Sequence, residues 1–175
     1  MLQGAPCPVL IVRARAAGQV PATAGLKSIT VPLDGSALAE QALAIAVPLA
    51  RAAGATLHLV RVAETYYEIL TPPPEVFTQP VARPTLEMFE RLGNEAGAYL
   101  ATTAARLEQD SLPVSWEVLS GDPGRKLLDY EERERPDLMV ITTHARGGLT
   151  RWFYGSIADK LVTGSEVPVL LIRAQ

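Results

Sequence analysis

The sequence predicts an α/β fold: an open, five-stranded parallel sheet with helices on both faces, plus an extra strand at the N-terminus. Three observations predict it. From residue 27 onward, strand-like runs alternate with helix-like runs, and such alternation builds parallel sheets covered by helices. Leu138-Met139-Val140-Ile141 is apolar without a break, as a strand buried on both faces must be. The chain has 175 residues, a length that suits one domain with a core of its own.

Residues 27–33 read as the first strand of the repeating pattern, with β-branched Ile29, Thr30 and Val31 ahead of a turn at Asp34-Gly35. Ser36 is a good N-cap for the helix that follows. Leu38, Ala42, Ile45 and Leu49 recur there at helical spacing, Pro48 should kink the helix, and Gly54 ends it. Residues 55–62 form the second strand. Residues 63–83 hold Pro72, Pro73, Pro74 and Pro80 and read as a long loop, a lid or a partner surface. A helix over 85–109 shows Phe89, Leu92, Ala96, Leu100, Thr103 and Leu107 as its buried stripe, weakened locally by Gly93 and Gly97.

Residues 113–119 are the third strand. Asp122 caps the next helix, with Pro123 at its first position. Leu127, Leu128 and Tyr130 face inward, and the charge run 131–135 reads as a solvated helix end. Residues 138–141 are the fourth strand and 144–154 a glycine-containing loop. Gly155-Ser156 opens a last helix through about Thr163, and 167–172 are the fifth strand.

Sixteen basic against 19 acidic residues give a formal net charge of −3, with no general pull toward nucleic acid. A single cysteine, Cys7, excludes an internal disulfide framework and a cysteine-based zinc cluster. No run approaches the ~20 apolar residues of a membrane helix, and no secretory signal opens the chain. The expectation is a cytoplasmic protein without membrane or nucleic-acid partners.

In a doubly wound sheet, ligands bind outside the carboxyl ends of the strands, where the strand order reverses. Two loops qualify: Pro32-Leu33-Asp34-Gly35-Ser36, and Thr142-Thr143-His144-Ala145-Arg146-Gly147-Gly148. The second leads to Gly155-Ser156, where a helix N-terminus can hold a phosphate. Arg146 can add a charge-assisted contact. The carboxylate of Asp34 suits an adenine amino group or a ribose hydroxyl. Gly155-Ser156 also reads as a plain helix cap and Asp34 as a plain turn residue. There is neither a P-loop nor a Gly-x-Gly-x-x-Gly fingerprint.

These segments, with Gly121-Asp122-Pro123, Pro136-Asp137-Leu138 and Val167-Pro168-Val169-Leu170-Leu171-Ile172-Arg173, lie in order along residues 27–173. Together they resemble a universal stress protein domain. Counting strands from residue 27, the resemblance implies the order 3-2-1-4-5, an adenine nucleotide α-hydrolase-like sheet. It also implies ATP as ligand, with Mg2+ or Mn2+ arriving on the nucleotide. The family's nucleotide pattern is Gly, two residues, Gly, nine residues, Gly, then Ser or Thr. Gly155 and Ser156 fit its end, but Thr142 and Ala145 stand where the first two glycines would be. The methyl group of Ala145 would crowd the phosphates or strain the loop.

Carried over by position, Asp34 would meet the adenine and Val62 flank it, with Pro32 and Ile141 in the same pocket. Thr142, His144, Ala145 and Arg146 would follow the ribose and phosphates, and Gly155, Ser156 and Ile157 would cradle the phosphates. No nucleophile accompanies His144 and no carboxylate orients it, so no catalytic residue is assigned. His58, on the second strand, reads as packing or interface. Two readings stay open: an ATP-binding regulatory module of the stress response, and an interaction protein of the same fold with a degenerate pocket. A related enzyme would need a Ser-Gly-Gly-x-Asp-Ser-type loop where Pro32-Leu33-Asp34-Gly35-Ser36 stands.

The N-terminus repeats the C-terminus. Residues 4–14 parallel 164–174 at a constant offset of 160, sharing Gly, Pro-Val-Leu and Arg-Ala. Residues 1–26 therefore read as the last strand and linker of a preceding similar domain, and 27–175 as the universal stress protein domain. The resemblance implies pairing through the fifth strand in a homodimer or a tandem pair, and the N-terminal strand would take that place. A linker of about twelve residues reaches roughly 40 Å, ample for the ~14 Å across three strand spacings. Exchange of the strand between two chains is the alternative.

Overall fold

The centre of the molecule is a five-residue strand, Ser28–Pro32, whose Ile29, Thr30 and Val31 are completely buried. β-Branched side chains suit a pleated strand covered on both faces. The structure is a computed structural model that describes residues 7–13, 25–63, 83–109, 111–143 and 156–173. The loops expected at 63–83 and 144–154 and the linker before residue 25 fall largely or wholly outside the described residues.

In chain order the elements are β1 (Val9–Ile11), β2 (Ser28–Pro32), α1 (Ala37–Glu40), α2 (Leu43–Ala53), β3 (Thr56–Ala63) and α3 (Arg83–Glu108). Then follow β4 (Val114–Ser120), α4 (Pro123–Glu134), β5 (Leu138–Thr143), α5 (Ser156–Gly164) and β6 (Val169–Arg173). The strands form one sheet in the order β1-β6-β5-β2-β3-β4. Neighbours among β2 to β6 run parallel, and β1 runs antiparallel to β6. The sheet is therefore six-stranded and mixed: five parallel strands, with the extra N-terminal strand counted into the same sheet at the β6 edge, where it runs antiparallel. That strand satisfies the backbone groups along the edge of β6.

Strand alternation sorts the side chains into two cores. Ile29, Val31, Leu57, Leu59 and Val140 meet Ala46, Ala50, Leu100 and Ala104 on one face. Val60, Met139, Ile141, Val169 and Leu171 meet Leu127, Tyr130, Ala158 and Leu161 on the other. The buried residues of β2, β3 and β5 face these two layers, which is why those strands read as near-continuous apolar runs.

Local differences from the sequence reading have physical causes. The helix expected from Ser36 to Gly54 is two helices, parted at Gln41 and Ala42. Pro48 lies inside α2, which continues through it to Ala53, and the tightened turn falls earlier in the chain. Ala44 and Ile45 donate to the carbonyls of Gln41 and Ala42, three residues back. Gly54 closes α2 in the left-handed conformation, φ 66°. In α3, Ala96, Leu100, Thr103 and Ala104 are buried, but Leu92 is 40% exposed. Twenty-six residues of helix span about 39 Å, against about 23 Å for the seven residues of β4. The short connection to β4 ties the C-terminus of α3 to the amino edge of the sheet. Its first turns, with Met88 and Leu92, therefore overhang the carboxyl edge.

Glu131 corrects the reading of residues 131–135 as wholly solvated. It is buried, and its Oε1 accepts from the backbone N–H groups of Glu166 and Val167, at 2.6 and 3.0 Å. A carboxylate of α4 thereby fixes the turn between α5 and β6. At the far edge, Glu117 of β4 pairs with Arg133 of α4. His58 of β3 is half-buried beside β4, its Nδ1 2.5 Å from Ser115 Oγ. Among the described residues no helix is long and apolar enough to cross a membrane.

Candidate functional site

β2 pairs with β3 on one side and with β5 on the other, so the strand order reverses at its carboxyl end. A cleft of about 250 Å³ opens there, on the side of the sheet covered by α4 and α5. Pro32 and Asp34 enter it from the end of β2, Val62 from β3, Ile141 and Thr142 from β5, and Ser156 and Ile157 from the start of α5. Four separate segments thus bring these sequence-predicted residues to one place. His144, Ala145, Arg146 and Gly155 lie outside the described residues.

The position of Asp34 is built from backbone bonds. Leu33 N–H donates to the Val60 carbonyl at 2.8 Å, carrying the ladder one residue past β2. Asp34 Oδ1 then accepts from Ser36 N–H at 2.8 Å, the Asx geometry that turns the chain into α1. Ser36 Oγ accepts from Ala39 N–H at 3.1 Å and caps that helix. Gly35 between them has φ 87°, a conformation that favours glycine, and faces the Arg61 guanidinium, whose Nη1 would stand 3.1 Å from a Cβ and have to yield slightly.

Arg61 was not among the residues the sequence singled out. Its guanidinium lies over the Tyr99 ring, 5.1 Å from the centroid. Tyr99 O–H donates to Glu40 Oε1 at 2.9 Å, and Arg106 stands 3.7 Å from the same carboxylate. Burial, with Glu40 beside it, pushes the Tyr99 hydroxyl up to about 12. This chain of contacts ties β3, α1 and α3 behind the Asp34 turn. Only the sequence pattern Asp-Gly marked the turn, and nothing local to residue 61 pointed to it.

The rest of the lining is apolar. Leu38 and Ala39 of α1, Pro123 and Leu127 of α4 and Leu161 of α5 complete it. Sequence reasoning missed them as lining residues because they also satisfy the helical core pattern. Asp122 N-caps α4 through the Arg125 N–H at 2.9 Å and receives Lys160 Nζ at 2.9 and 3.1 Å. The backbone N–H of Arg125, then Lys160, hold its carboxyl below the usual range. The Lys160 stem crosses Gly124, where a Cβ would be 2.3 Å away. This link fixes α4 against α5, and so the floor of the cleft.

The arrangement offers a mostly apolar cleft with one carboxylate, Asp34, and the Ser156 hydroxyl at the start of α5 among its lining groups. The cleft and carboxylate suit a planar heterocycle bearing an amino group, and a helix N-terminus suits an anion. Among the described residues, no group of three or more His, Cys, Asp or Glu side chains could hold a metal ion.

A family model described as the universal stress protein family matches residues 25–173. A universal stress protein of Thermus aquaticus is 33% identical over 147 residues, 84% of this chain and 98% of that protein. Universal stress protein Rv2005c of Mycobacterium tuberculosis is 30% identical over 145 residues, 83% of this chain but 45% of its own length. Among solved structures, hypothetical protein MJ0577 superposes with TM-score 0.69 at 21% identity, over 86% of this chain and 97% of its own. A universal stress protein from Archaeoglobus fulgidus gives 0.67 at 17% identity, over 98% of this chain and 53% of its own. A universal stress protein in complex with cAMP gives 0.56 at 15% identity, over 86% of this chain and 99% of its own.

Proposed function

The chain belongs to the universal stress protein family, and from that premise we propose that it is a cytoplasmic, adenine-nucleotide-binding regulatory module of the stress response. The observation that carries this reading is the convergence of Pro32, Asp34, Val62, Ile141, Thr142, Ser156 and Ile157 on one cleft at the sheet's switch point. In this reading the adenine lies between Val62, Pro32 and Ile141, and Asp34 accepts a hydrogen bond from its amino group. Thr142, His144, Ala145 and Arg146 follow the ribose and phosphates. Gly155, Ser156 and Ile157 hold the phosphates at the start of α5. A Mg2+ or Mn2+ ion comes with ATP, bound by phosphate oxygens. That a neighbour of this fold is in complex with cAMP supports an adenine nucleotide as the ligand class.

A second reading rests on Thr142 and Ala145, which stand where the family's nucleotide pattern has glycine. Under it the pocket is degenerate and the module works through protein contact alone. Titration calorimetry with Mg-ATP, with AMP and buffer as controls, separates the two. Saturable heat supports nucleotide binding, and no heat at millimolar Mg-ATP favours the interaction module.

A further inference from the structure

α4 and α5 both begin at the cleft. Pro123, the first residue of α4, and Ser156 and Ile157, the first two of α5, are among its lining residues. An ion pair joins these two helix starts. Lys160 Nζ donates to both oxygens of Asp122, at 2.9 and 3.1 Å. Asp122 is the N-cap of α4, and Lys160 lies one turn beyond Ser156, on the same side of α5. Helical side chains lean toward the N-terminus of their own helix. The long Lys160 stem therefore carries its ammonium back toward the start of α5, and Asp122 holds it at the start of α4.

As a fastening alone, the pair is weak. Its side chains are 50% and 39% exposed, and an ion pair in that much water adds little stability. It also constrains its neighbour. The stem lies over Gly124, where a Cβ would stand 2.3 Å from Cδ, so α4 carries a buried glycine in its first turn. Only proline is less suited to a helix. The placement of charge is unusual as well. Helix dipoles favour cations at C-termini and anions at N-termini, yet Lys160 Nζ is brought to an N-terminus, where the Asp122 carboxylate offsets it. The result is a half-exposed ammonium, beside a cleft, on a partner that water already screens. Such an ammonium changes partners easily.

We propose that Lys160 is an exchangeable contact for a phosphate tail: its ammonium passes from Asp122 to the outer phosphate oxygens of a nucleotide whose base lies at Asp34. The stem stays over Gly124, and only the last bonds of the side chain turn. Left by Lys160, Asp122 keeps the Arg125 N–H and suits the divalent ion that travels with the phosphates, since such ions take one or two carboxylates beside phosphate oxygens. The proposal rests on the nucleotide reading above and adds to it a selection by tail length. A monophosphate is held at the start of α5 alone, and a triphosphate also reaches Lys160.

Titration calorimetry on the full chain and on Lys160→Met tests this, with Mg-ATP and with AMP, the latter by competition against Mg-ATP where its own heat is small. Methionine keeps an unbranched stem over Gly124 and removes the ammonium. Lys160→Met should weaken Mg-ATP about tenfold and leave AMP within about twofold, the loss expected for one charge-assisted contact. Its thermal midpoint without nucleotide should stay close to the parent's, as loss of an exposed pair implies. Asp122→Asn keeps a good N-cap and should narrow the difference in ATP affinity with and without Mg2+. Equal weakening of ATP and AMP by Lys160→Met makes the pair a strut that shapes the whole cleft, and overturns the proposal. Unchanged affinity for both overturns it too. A parent chain that binds neither nucleotide is a different failure: it removes the nucleotide reading, and this proposal with it.

Discussion

Single residues here do more than their positions in the chain suggest. Arg61 is not among the residues that line the cleft, yet it backs the Asp34-Gly35 turn and stacks on Tyr99. It is a positioning residue under the nucleotide reading. Arg61→Met should weaken Mg-ATP binding about tenfold in calorimetry, the cost of reordering one loop, with little change in thermal midpoint. Glu131 is structural. Glu131→Ala removes a buried acceptor shared by the Glu166 and Val167 N–H groups, the second of which keeps Ser165 Oγ at 3.2 Å, and should cost about 1–3 kcal/mol, read from urea unfolding. Glu131→Gln keeps an acceptor and should cost less. His58 titrates below its ordinary value because burial disfavours the imidazolium, with Glu134 opposing. The folded state then binds fewer protons than the unfolded state, so stability should fall as pH drops through about 6.5. Thermal midpoints of the protein and of His58→Gln across pH 5–8 should diverge on the acid side.

At the scale of elements, the pattern of strands and helices was legible because each carries its own local signal. Asp122-Pro123 and Gly54 start and stop their helices where capping chemistry says they should. What was not legible depends on distance. The break at Gln41–Ala42 is a run of three-residue backbone bonds inside a stretch whose apolar spacing is continuous. Leu92 is exposed because α3 outruns the sheet, and strand length is not written in a helical stripe. Glu131 hides in a run of charges, and only the turn at Glu166 reveals it as buried. The candidate site was legible at Asp34 and Ser156, which sit at turns with recognisable chemistry. Leu38, Pro123 and Leu127 were not, because a lining residue and a core residue obey the same periodicity. The α4–α5 link is testable at this scale. Gly124→Val would force the Lys160 stem aside and part Lys160 from Asp122. It should lower stability by about 1–3 kcal/mol, measured by urea unfolding.

For the whole molecule, ligand and fold are linked. A ligand that binds only the native state, at a hundred times its dissociation constant, adds about 2.7 kcal/mol. In a chain of this size that raises the midpoint by about 5–10 °C. Mg-ATP should produce such a shift, Gly155→Val should abolish it, and Ala145→Gly should reach it at lower nucleotide concentration. The absence of any shift with the parent protein would leave the degenerate-pocket reading in possession.

The two borders of the sheet differ in kind. β4 carries Glu117 in mid-strand, tied to Arg133, and a charge there obstructs edge-to-edge addition. The β4 border is thus blunted by charge, while β1 blunts the other by its length of three residues. Glu117→Val removes the charge and should make the protein more prone to edge-to-edge association, read from light scattering against protein concentration.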